Sequence, residues 1–188
     1  MFDKLLVLDM DETLVHSWEL ADMNQYARER SPDIVLKDGY RSFKRPGVEE
    51  FLAACFSKFK AVGLWTAGTL PYALELLPHL CELEQFAFVW GRERCTYRRD
   101  LETQDTYWLK DIGKLRRFGF PKSKILCVDD SPEKFSRSFG NYIYIKPFEG
   151  DPEDTELQKL EQFLEELGPV PNVRTIEKRG WQRNFTNR

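Results

Sequence analysis

The sequence predicts one α/β domain with a three-layer, Rossmann-like arrangement, in which helices cover both faces of a mainly parallel sheet. Short apolar runs, the pattern of strands buried on both faces, alternate along the chain with longer segments of helical periodicity. The 188 residues are enough for one domain with a sizeable core and too few for two ordinary ones.

Each element of this fold has its own sequence signal. Five apolar runs are predicted to be the strands: Leu5–Leu8, Ala61–Trp65, Phe86–Trp90, Ile125–Val128 and Tyr142–Ile145. Helices are predicted after Pro46-Gly47 and over Thr69–Leu80, Lys110–Phe118 and Glu153–Leu167. Thr69 is a suitable N-cap, and Gly168-Pro169 ends the last helix.

Residues 18–45 interrupt the alternation directly after the first strand. They are polar and mixed, and Asp38-Gly39 lies between two extended runs, which is a hairpin signal. We therefore expect a short β-hairpin insertion within a domain of residues 1–168, and no large cap domain. Residues 169–188 are basic and are expected to form a flexible tail, either solvated or in contact with an acidic partner.

Composition limits the function classes. The formal net charge of −3 gives no case for nucleic acid as a primary partner, and no apolar run approaches the length of a membrane helix. The four cysteines form no C-x-x-C pair, and because the first strand is predicted almost at the N-terminus we expect no signal peptide. We expect an intracellular, cytoplasmic or nuclear, monomeric protein.

Two carboxylates follow the first predicted strand, since Asp9 and Asp11 stand two residues apart where the apolar run ends. Ligands of open α/β sheets bind beyond the carboxyl ends of the strands, so the pair lies where a site is expected. A bare D-x-D is also typical of an ordinary acidic turn. The same alternatives, site or turn, apply to Thr66-Ala67 and to Asp129-Asp130, which follow other strands.

The segment Asp9-Met10-Asp11-Glu12-Thr13-Leu14-Val15-His16-Ser17 resembles motif one of the haloacid-dehalogenase-like (HAD-like) phosphohydrolases. More narrowly, it resembles the RNA polymerase II carboxy-terminal-domain phosphatases, and the likeness extends over residues 3–167. The resemblance implies that Thr66 and the backbone N–H of Ala67 form motif two, which binds phosphate. It implies that Lys110 is motif three. The segment around Lys110 has one residue more than the family's Y-x-K-D-L pattern. Asp129-Asp130-Ser131-Pro132 matches motif four, and either Arg98 or Arg99 is expected to contact phosphate.

The resemblance implies a phosphatase that forms an aspartyl-phosphate on Asp9, with Asp11 as acid and base. Hard oxygen ligands suit Mg²⁺, which we expect at Asp9, the Asp11 backbone carbonyl and Asp130, while Asp129 holds Lys110 or a bound water. An uncapped site favours a phosphoserine or phosphothreonine protein as substrate. The alternatives are a phosphatase for a small-molecule or nucleic-acid 3′-phosphate, or a catalytically idle binding module.

Overall fold

The computed structural model describes residues 1–19, 28, 30–100 and 104–185. Two predicted segments lie partly outside the described residues. They are the insertion, at residues 20–27 and 29, and the tail, at residues 186–188. The elements in chain order are β1 Phe2–Leu8, β2 Val15–Trp18, β3 Ile34–Val35, β4 Arg41–Lys44, α1 Val48–Lys58, β5 Phe59–Trp65, α2 Leu70–Leu76, β6 Phe88–Trp90, β7 Thr96–Arg99, β8 Thr106–Leu109, β9 Ile125–Asp129, β10 Tyr142–Tyr144 and α3 Glu156–Leu167.

A five-stranded parallel sheet in the order β10-β9-β1-β5-β6 forms the centre of the domain. Strand β1 is the middle strand, and Leu6 lies beside Val62 of β5 on one side and Leu126 of β9 on the other. The chain runs from β1 to β5 and β6 in one direction, then to β9 and β10 in the other. A switch point, the usual place for a ligand site, therefore lies at the carboxyl ends of β1 and β9.

Apolar side chains cover both faces of this sheet. One face packs against α1, α2 and α3, where Phe51, Leu52 and Leu160 are buried. The other face packs Trp65 and Cys127 against Leu115 and Phe135, which lie in the 3-10 helices Ile112–Phe118 and Pro132–Phe135 that follow β8 and β9. The predicted three-layer α/β fold is thus confirmed. Among the described residues, no helix is both long enough and apolar enough to cross a membrane.

Several helix boundaries differ from the prediction. The helix predicted from Lys110 begins at Ile112, where the Asp111 side chain accepts a hydrogen bond from the Gly113 N–H, so Lys110 lies directly after β8. The second predicted helix is α-helical only to Leu76 and continues as a 3-10 turn that contains Pro78, whose ring nitrogen has no hydrogen to donate.

Two small antiparallel sheets lie outside the central one. The insertion is larger than the predicted hairpin, because β2 joins β4 and β3 in a three-stranded sheet. Gly39 adopts φ +91° in the predicted turn. A second hairpin, β7 with β8, was not predicted, because its strands carry polar residues on most positions and lack a continuous apolar run.

The prediction of a separate flexible tail is wrong for residues 169–185, which pack against the domain. Trp181 is 2% exposed and stacks on Phe163 of α3, with ring centroids 5.2 Å apart. Its indole N–H donates to the Tyr144 carbonyl at 2.6 Å. The Lys178 ammonium is buried and donates to three backbone carbonyls. This lysine, one of the basic residues of the predicted tail, therefore helps to hold the segment on the domain. Two buried apolar side chains, Val173 and Trp181, fix a segment that is mostly polar.

Candidate active site

Three neighbouring strands deliver polar side chains to one edge of the sheet. Asp9 follows β1, Thr66 follows β5, and Asp129 is the last residue of β9. All three side chains are buried, although polar groups are costly to bury without partners. The parallel ladder continues into the site, because the Asp9 N–H donates to the Val128 carbonyl at 3.0 Å. The position of each side chain is therefore set by the backbone of the sheet.

Two lysines surround the Asp9 carboxylate. The Lys110 Nζ lies 2.8 Å from Asp9 Oδ1, and the Lys134 Nζ lies 2.9 Å from Asp9 Oδ2. Burial raises the pKa of Asp9, but the charges of Lys110 and Lys134 outweigh it and hold the pKa well below its ordinary value. Asp9 is therefore ionised, which is the state that a nucleophile requires.

The adjacent acids of motif four have different surroundings. Asp129 is fully buried and contacts Lys110 Nζ at 2.5 Å and Lys134 Nζ at 3.1 Å. Burial, together with the charge of Asp9, raises the pKa of Asp129 despite these two lysines. Asp130 is 13% exposed and accepts a hydrogen bond from the Ser131 hydroxyl at 3.1 Å. The expected pairing of Asp129 with Lys110 is present, and Asp130 is the more accessible of the two.

Asp11 lies in an environment opposite to that of Asp9, because no cation contacts it among the described residues. Its Oδ2 accepts a hydrogen bond from the Thr66 hydroxyl at 2.8 Å, and its Oδ1 accepts one from the Tyr72 hydroxyl at 2.8 Å. Burial, followed by the charge of Asp9, raises the pKa of Asp11 to about 6, although the two hydroxyl donors lower it. A carboxyl group with this pKa is suited to donate and accept a proton near neutral pH.

Hydrogen bonds within the loop after β5, and from Arg92, fix the backbone of this loop. The Gly68 N–H donates to the Thr66 hydroxyl oxygen at 2.8 Å, so this hydroxyl accepts from the loop while it donates to Asp11. The Arg92 Nε donates to the Ala67 carbonyl at 2.6 Å, and the Arg92 backbone N–H donates to the Gly68 carbonyl at 2.7 Å. Arg92 is therefore the arginine that the structure places against this loop.

Arg98 and Arg99 lie elsewhere. Both are exposed on strand β7 of the second hairpin, and the Arg99 Nε donates to the Gln104 carbonyl. The structure thus brings together Asp9, Asp11, Thr66, Ala67, Lys110, Asp129 and Asp130, but it does not join Arg98 or Arg99 to them through any contact among the described residues.

Sequence reasoning missed three residues of this site: Arg92, Lys134 and Tyr72. Lys134 stands four residues after Asp130 behind Pro132, a spacing that places two side chains on the same face of a helical turn. Tyr72 lies in the first turn of α2, three residues after the Thr69 cap. Arg92 stands among many surface arginines, and nothing in the local pattern distinguishes it.

The acidic residues include a group that fits a divalent cation. Carboxylate oxygens of Asp9, Asp129 and Asp130 all lie within 4.8 Å of one another. The donors are hard oxygens with no histidine or thiolate among them, and this donor type suits Mg²⁺. The group overlaps the predicted ligands at Asp9 and Asp130 and adds the carboxylate of Asp129.

Comparison with known proteins gives consistent results. The family model for NLI interacting factor-like phosphatase matches residues 4–174. The CTD small phosphatase-like protein 1 of Caenorhabditis elegans is 31% identical over 177 residues, which cover 90% of this chain and 33% of that protein. The mitochondrial import inner membrane translocase subunit TIM50 of Kluyveromyces lactis is 30% identical over 176 residues, which cover 92% of this chain and 31% of that protein. The chain therefore spans about a third of the length of these relatives.

A solved structure supports the fold. The structure of Fcp1, described as an essential RNA polymerase II CTD phosphatase, matches with a TM-score of 0.62 and 18% sequence identity. The match covers 88% of this chain and 62% of that one. The family model covers most of the chain, and it includes all four motifs that the sequence suggested. The chain belongs to the NLI interacting factor-like phosphatase family.

Proposed function

We propose that this protein is a Mg²⁺-dependent phosphomonoester hydrolase that acts through an aspartyl-phosphate on Asp9. The observation that carries the proposal is the contrast between two carboxyl groups two residues apart. Asp9 is held ionised between lysines, whereas the pKa of Asp11 is raised to about 6. Pairs of acids with separated pKa values are typical of sites that need a nucleophile and a proton donor at once.

The two half-reactions use the same pair. An Asp9 carboxylate oxygen attacks phosphorus and forms the acyl phosphate, while the bond to the leaving alcohol oxygen breaks and Asp11 gives that oxygen its proton. Asp11, now a carboxylate, then takes a proton from water as the water oxygen attacks phosphorus. The acyl phosphate bond breaks, inorganic phosphate leaves, and Asp9 returns as a carboxylate.

The remaining residues stabilise negative charge and hold geometry. The Lys110 ammonium lies 2.8 Å from Asp9, close to where the phosphoryl group is to be attached. Thr66 orients Asp11 through its hydroxyl, and the Thr66–Gly68 loop is braced by Arg92. When bound by Asp9 and Asp130, Mg²⁺ supplies Lewis-acid stabilisation of the phosphoryl oxygens.

A phosphoserine or phosphothreonine protein is the substrate that we propose. The described part of the insertion after β1 is a small three-stranded sheet and not a large cap domain, and a site without a cap domain suits a phosphate carried on a large molecule. Relatives whose names describe CTD phosphatases point in the same direction.

Two rival functions are kept for testing. A small phosphate ester or a nucleic-acid 3′-phosphate would use the same chemistry on a different substrate. An idle binding module is the other rival, and one relative is named as a translocase subunit. The contact of Asp9 with Lys110 and that of Asp11 with Thr66 favour an enzyme.

The test is a kinetic comparison with Mg²⁺ present. We expect the wild type to hydrolyse phosphoserine or phosphothreonine peptides with higher kcat/KM than sugar phosphates or 3′-phosphorylated oligonucleotides. Asp9→Asn should reduce turnover to background, while the variant still unfolds in a cooperative transition with a measurable midpoint. Asp3→Asn, at an exposed acid on the same strand, is the matched control and should keep wild-type activity.

Three outcomes contradict parts of this proposal. Substantial Mg²⁺-dependent turnover by Asp9→Asn rules out Asp9 as the nucleophile. A preference for sugar phosphates or oligonucleotides selects the first rival. Failure of the wild type to hydrolyse even an activated aryl phosphate selects the binding module.

A further inference from the structure

Lys134 is a largely but not fully buried cation that the proposed chemistry does not use. It extends from the 3-10 turn Pro132–Phe135, which follows β9, and its side chain is only 14% exposed. Its ammonium lies 2.9 Å from Asp9 Oδ2, 3.1 Å from Asp129 Oδ1 and 3.5 Å from Asp130 Oδ1. It thus contacts one oxygen from each of the three carboxylates that form the candidate metal group.

The two lysines of the site divide the carboxylate oxygens between them. Lys110 contacts Asp9 Oδ1 and Asp129 Oδ2, whereas Lys134 contacts the other oxygen of each acid and also Asp130. Among the described residues, Lys110 forms no ion pair with Asp130. Lys134 therefore contacts all three carboxylates of the metal group, whereas Lys110 contacts two of them.

A divalent cation held by these three carboxylates would compete with the Lys134 ammonium, which contacts all three. Mg²⁺ binds oxygen at about 2.0–2.1 Å and demands near-ideal octahedral geometry. An ion at that distance from the oxygens on Lys134 would lie within a few ångströms of a like charge in a site of low dielectric constant, where repulsion is strong. Repulsion therefore opposes binding of the metal while the Lys134 ammonium stays in place.

We propose that Lys134 is the built-in counter-ion of the Asp9–Asp129–Asp130 group and that a divalent cation must displace its ammonium to bind. This inference rests on the metal-binding part of the proposed function. The backbone carbonyl of Lys134 is fixed by the Lys110 N–H at 2.8 Å, so the movement is confined to the side chain. Its four-carbon stem is flexible, and its partial exposure provides a route outward that the 1% exposed Lys110 lacks.

The arrangement has two consequences. Without metal, the acidic group is partly neutralised from within, because two ammonium groups balance two of the three carboxylates. When Mg²⁺ binds, part of its binding free energy displaces the Lys134 ammonium. The apparent affinity for Mg²⁺ is therefore lower than the three carboxylates would give without Lys134. Lys134 thereby sets the metal concentration at which the site fills.

The experiment compares Mg²⁺ affinities by calorimetric titration of metal-free protein. We expect Lys134→Met, which keeps the length of the side chain and removes its charge, to lower the dissociation constant for Mg²⁺ about tenfold or more. Lys134→Arg keeps the charge and should show no such gain. The matched control is Lys58→Met, which removes a lysine paired with Glu161 and Glu165 on the helical face and should leave the affinity unchanged.

A second measurement uses the wild type alone, in case Lys134→Met does not fold. Acetylation of lysines followed by peptide mapping should show Lys134 protected without metal and modified several-fold faster with saturating Mg²⁺, while the exposed Lys60 serves as internal reference. An unchanged or weaker Mg²⁺ affinity in folded Lys134→Met, or equal labelling with and without Mg²⁺, overturns the inference and leaves the proposed function standing. If neither wild type nor variant binds Mg²⁺, the metal part of the proposed function fails as well.

Discussion

Asp9 and Asp11 come from one short segment, yet their surroundings separate their pKa values. The side chain of Asp9 faces two lysines, whereas that of Asp11 faces two hydroxyl groups. Hydroxyl donors stabilise a carboxylate less than a full positive charge does, so burial dominates at Asp11 and raises its pKa. Two consecutive hydrogen bonds also link Asp11 to strand β2 of the insertion. The Tyr72 hydroxyl donates to Asp11 and lies 2.7 Å from the hydroxyl of Ser17 on that strand.

This geometry predicts the pH dependence of phosphoryl transfer to Asp9. With a pKa of about 6, Asp11 carries its proton at lower pH and loses it as pH rises, so kcat/KM for an alkyl phosphate should decline above about pH 6. The Tyr72 hydroxyl lowers the pKa of Asp11. Tyr72→Phe should therefore raise that pKa and move the declining limb to higher pH, which pH profiles of kcat/KM will show.

Tyr144→Phe is the control for this prediction, since Tyr144 is 40% exposed and lies on the edge strand β10. Its profile should coincide with that of the wild type. A limb that stays in place or moves to lower pH in Tyr72→Phe would show that the tyrosine hydroxyl does not stabilise the Asp11 carboxylate.

Elements differ in how visible they are in the sequence. The central strands are predictable because each is buried on both faces and reads as a continuous apolar run. Strands β2, β7 and β8 are not, because they lie in small sheets whose residues are mostly half-exposed. The C-terminal segment was misjudged for a related reason: its order depends on a few buried side chains dispersed among charged ones.

At this scale we predict that Trp181 holds the C-terminal segment on α3. Trp181→Ala removes a ring that stacks on Phe163 and an indole N–H that binds the Tyr144 carbonyl, and it should cost about 3–5 kcal/mol of unfolding free energy. Urea unfolding measures the loss. Ile176→Ala, in the same segment but 38% exposed, should cost less than about 1 kcal/mol. Equal small losses in both variants would mean that the segment contributes little to stability.

Across the whole molecule, Arg45 joins parts that are far apart in sequence. Its guanidinium is 1% exposed and makes a bidentate pair with Asp154, with both N–O distances 2.9 Å. It also donates to the Thr13 carbonyl of motif one and to the Lys146 carbonyl after β10. Asp154 in turn accepts from the Glu156 N–H, at the start of α3. One arginine therefore connects the loop that carries Asp11 to the last strand and the last helix.

We predict that Asp154→Ala destabilises the domain by about 3–5 kcal/mol, because it leaves the buried Arg45 charge without a carboxylate. The measurement is the urea unfolding free energy at neutral pH. Glu153→Ala changes the neighbouring, exposed acid and should shift the free energy by less than about 0.5 kcal/mol. A loss below about 1 kcal/mol in Asp154→Ala would show that water or the backbone carbonyls compensate the arginine.

The sequence by itself determined the succession of the central strands and helices along the chain. It also placed Asp9, Asp11, Thr66, Asp129 and Asp130 directly after apolar runs, whereas Lys110 was identified through the resemblance to the phosphatase family and not through a local pattern. Only the tertiary structure decided which basic groups meet the acids. Arg92 rather than Arg98 or Arg99 contacts the Thr66–Gly68 loop, and Lys134 joins Lys110 at Asp9. The physical reason is that a long, flexible basic side chain can serve any acid within reach, so its partner depends on how distant segments pack.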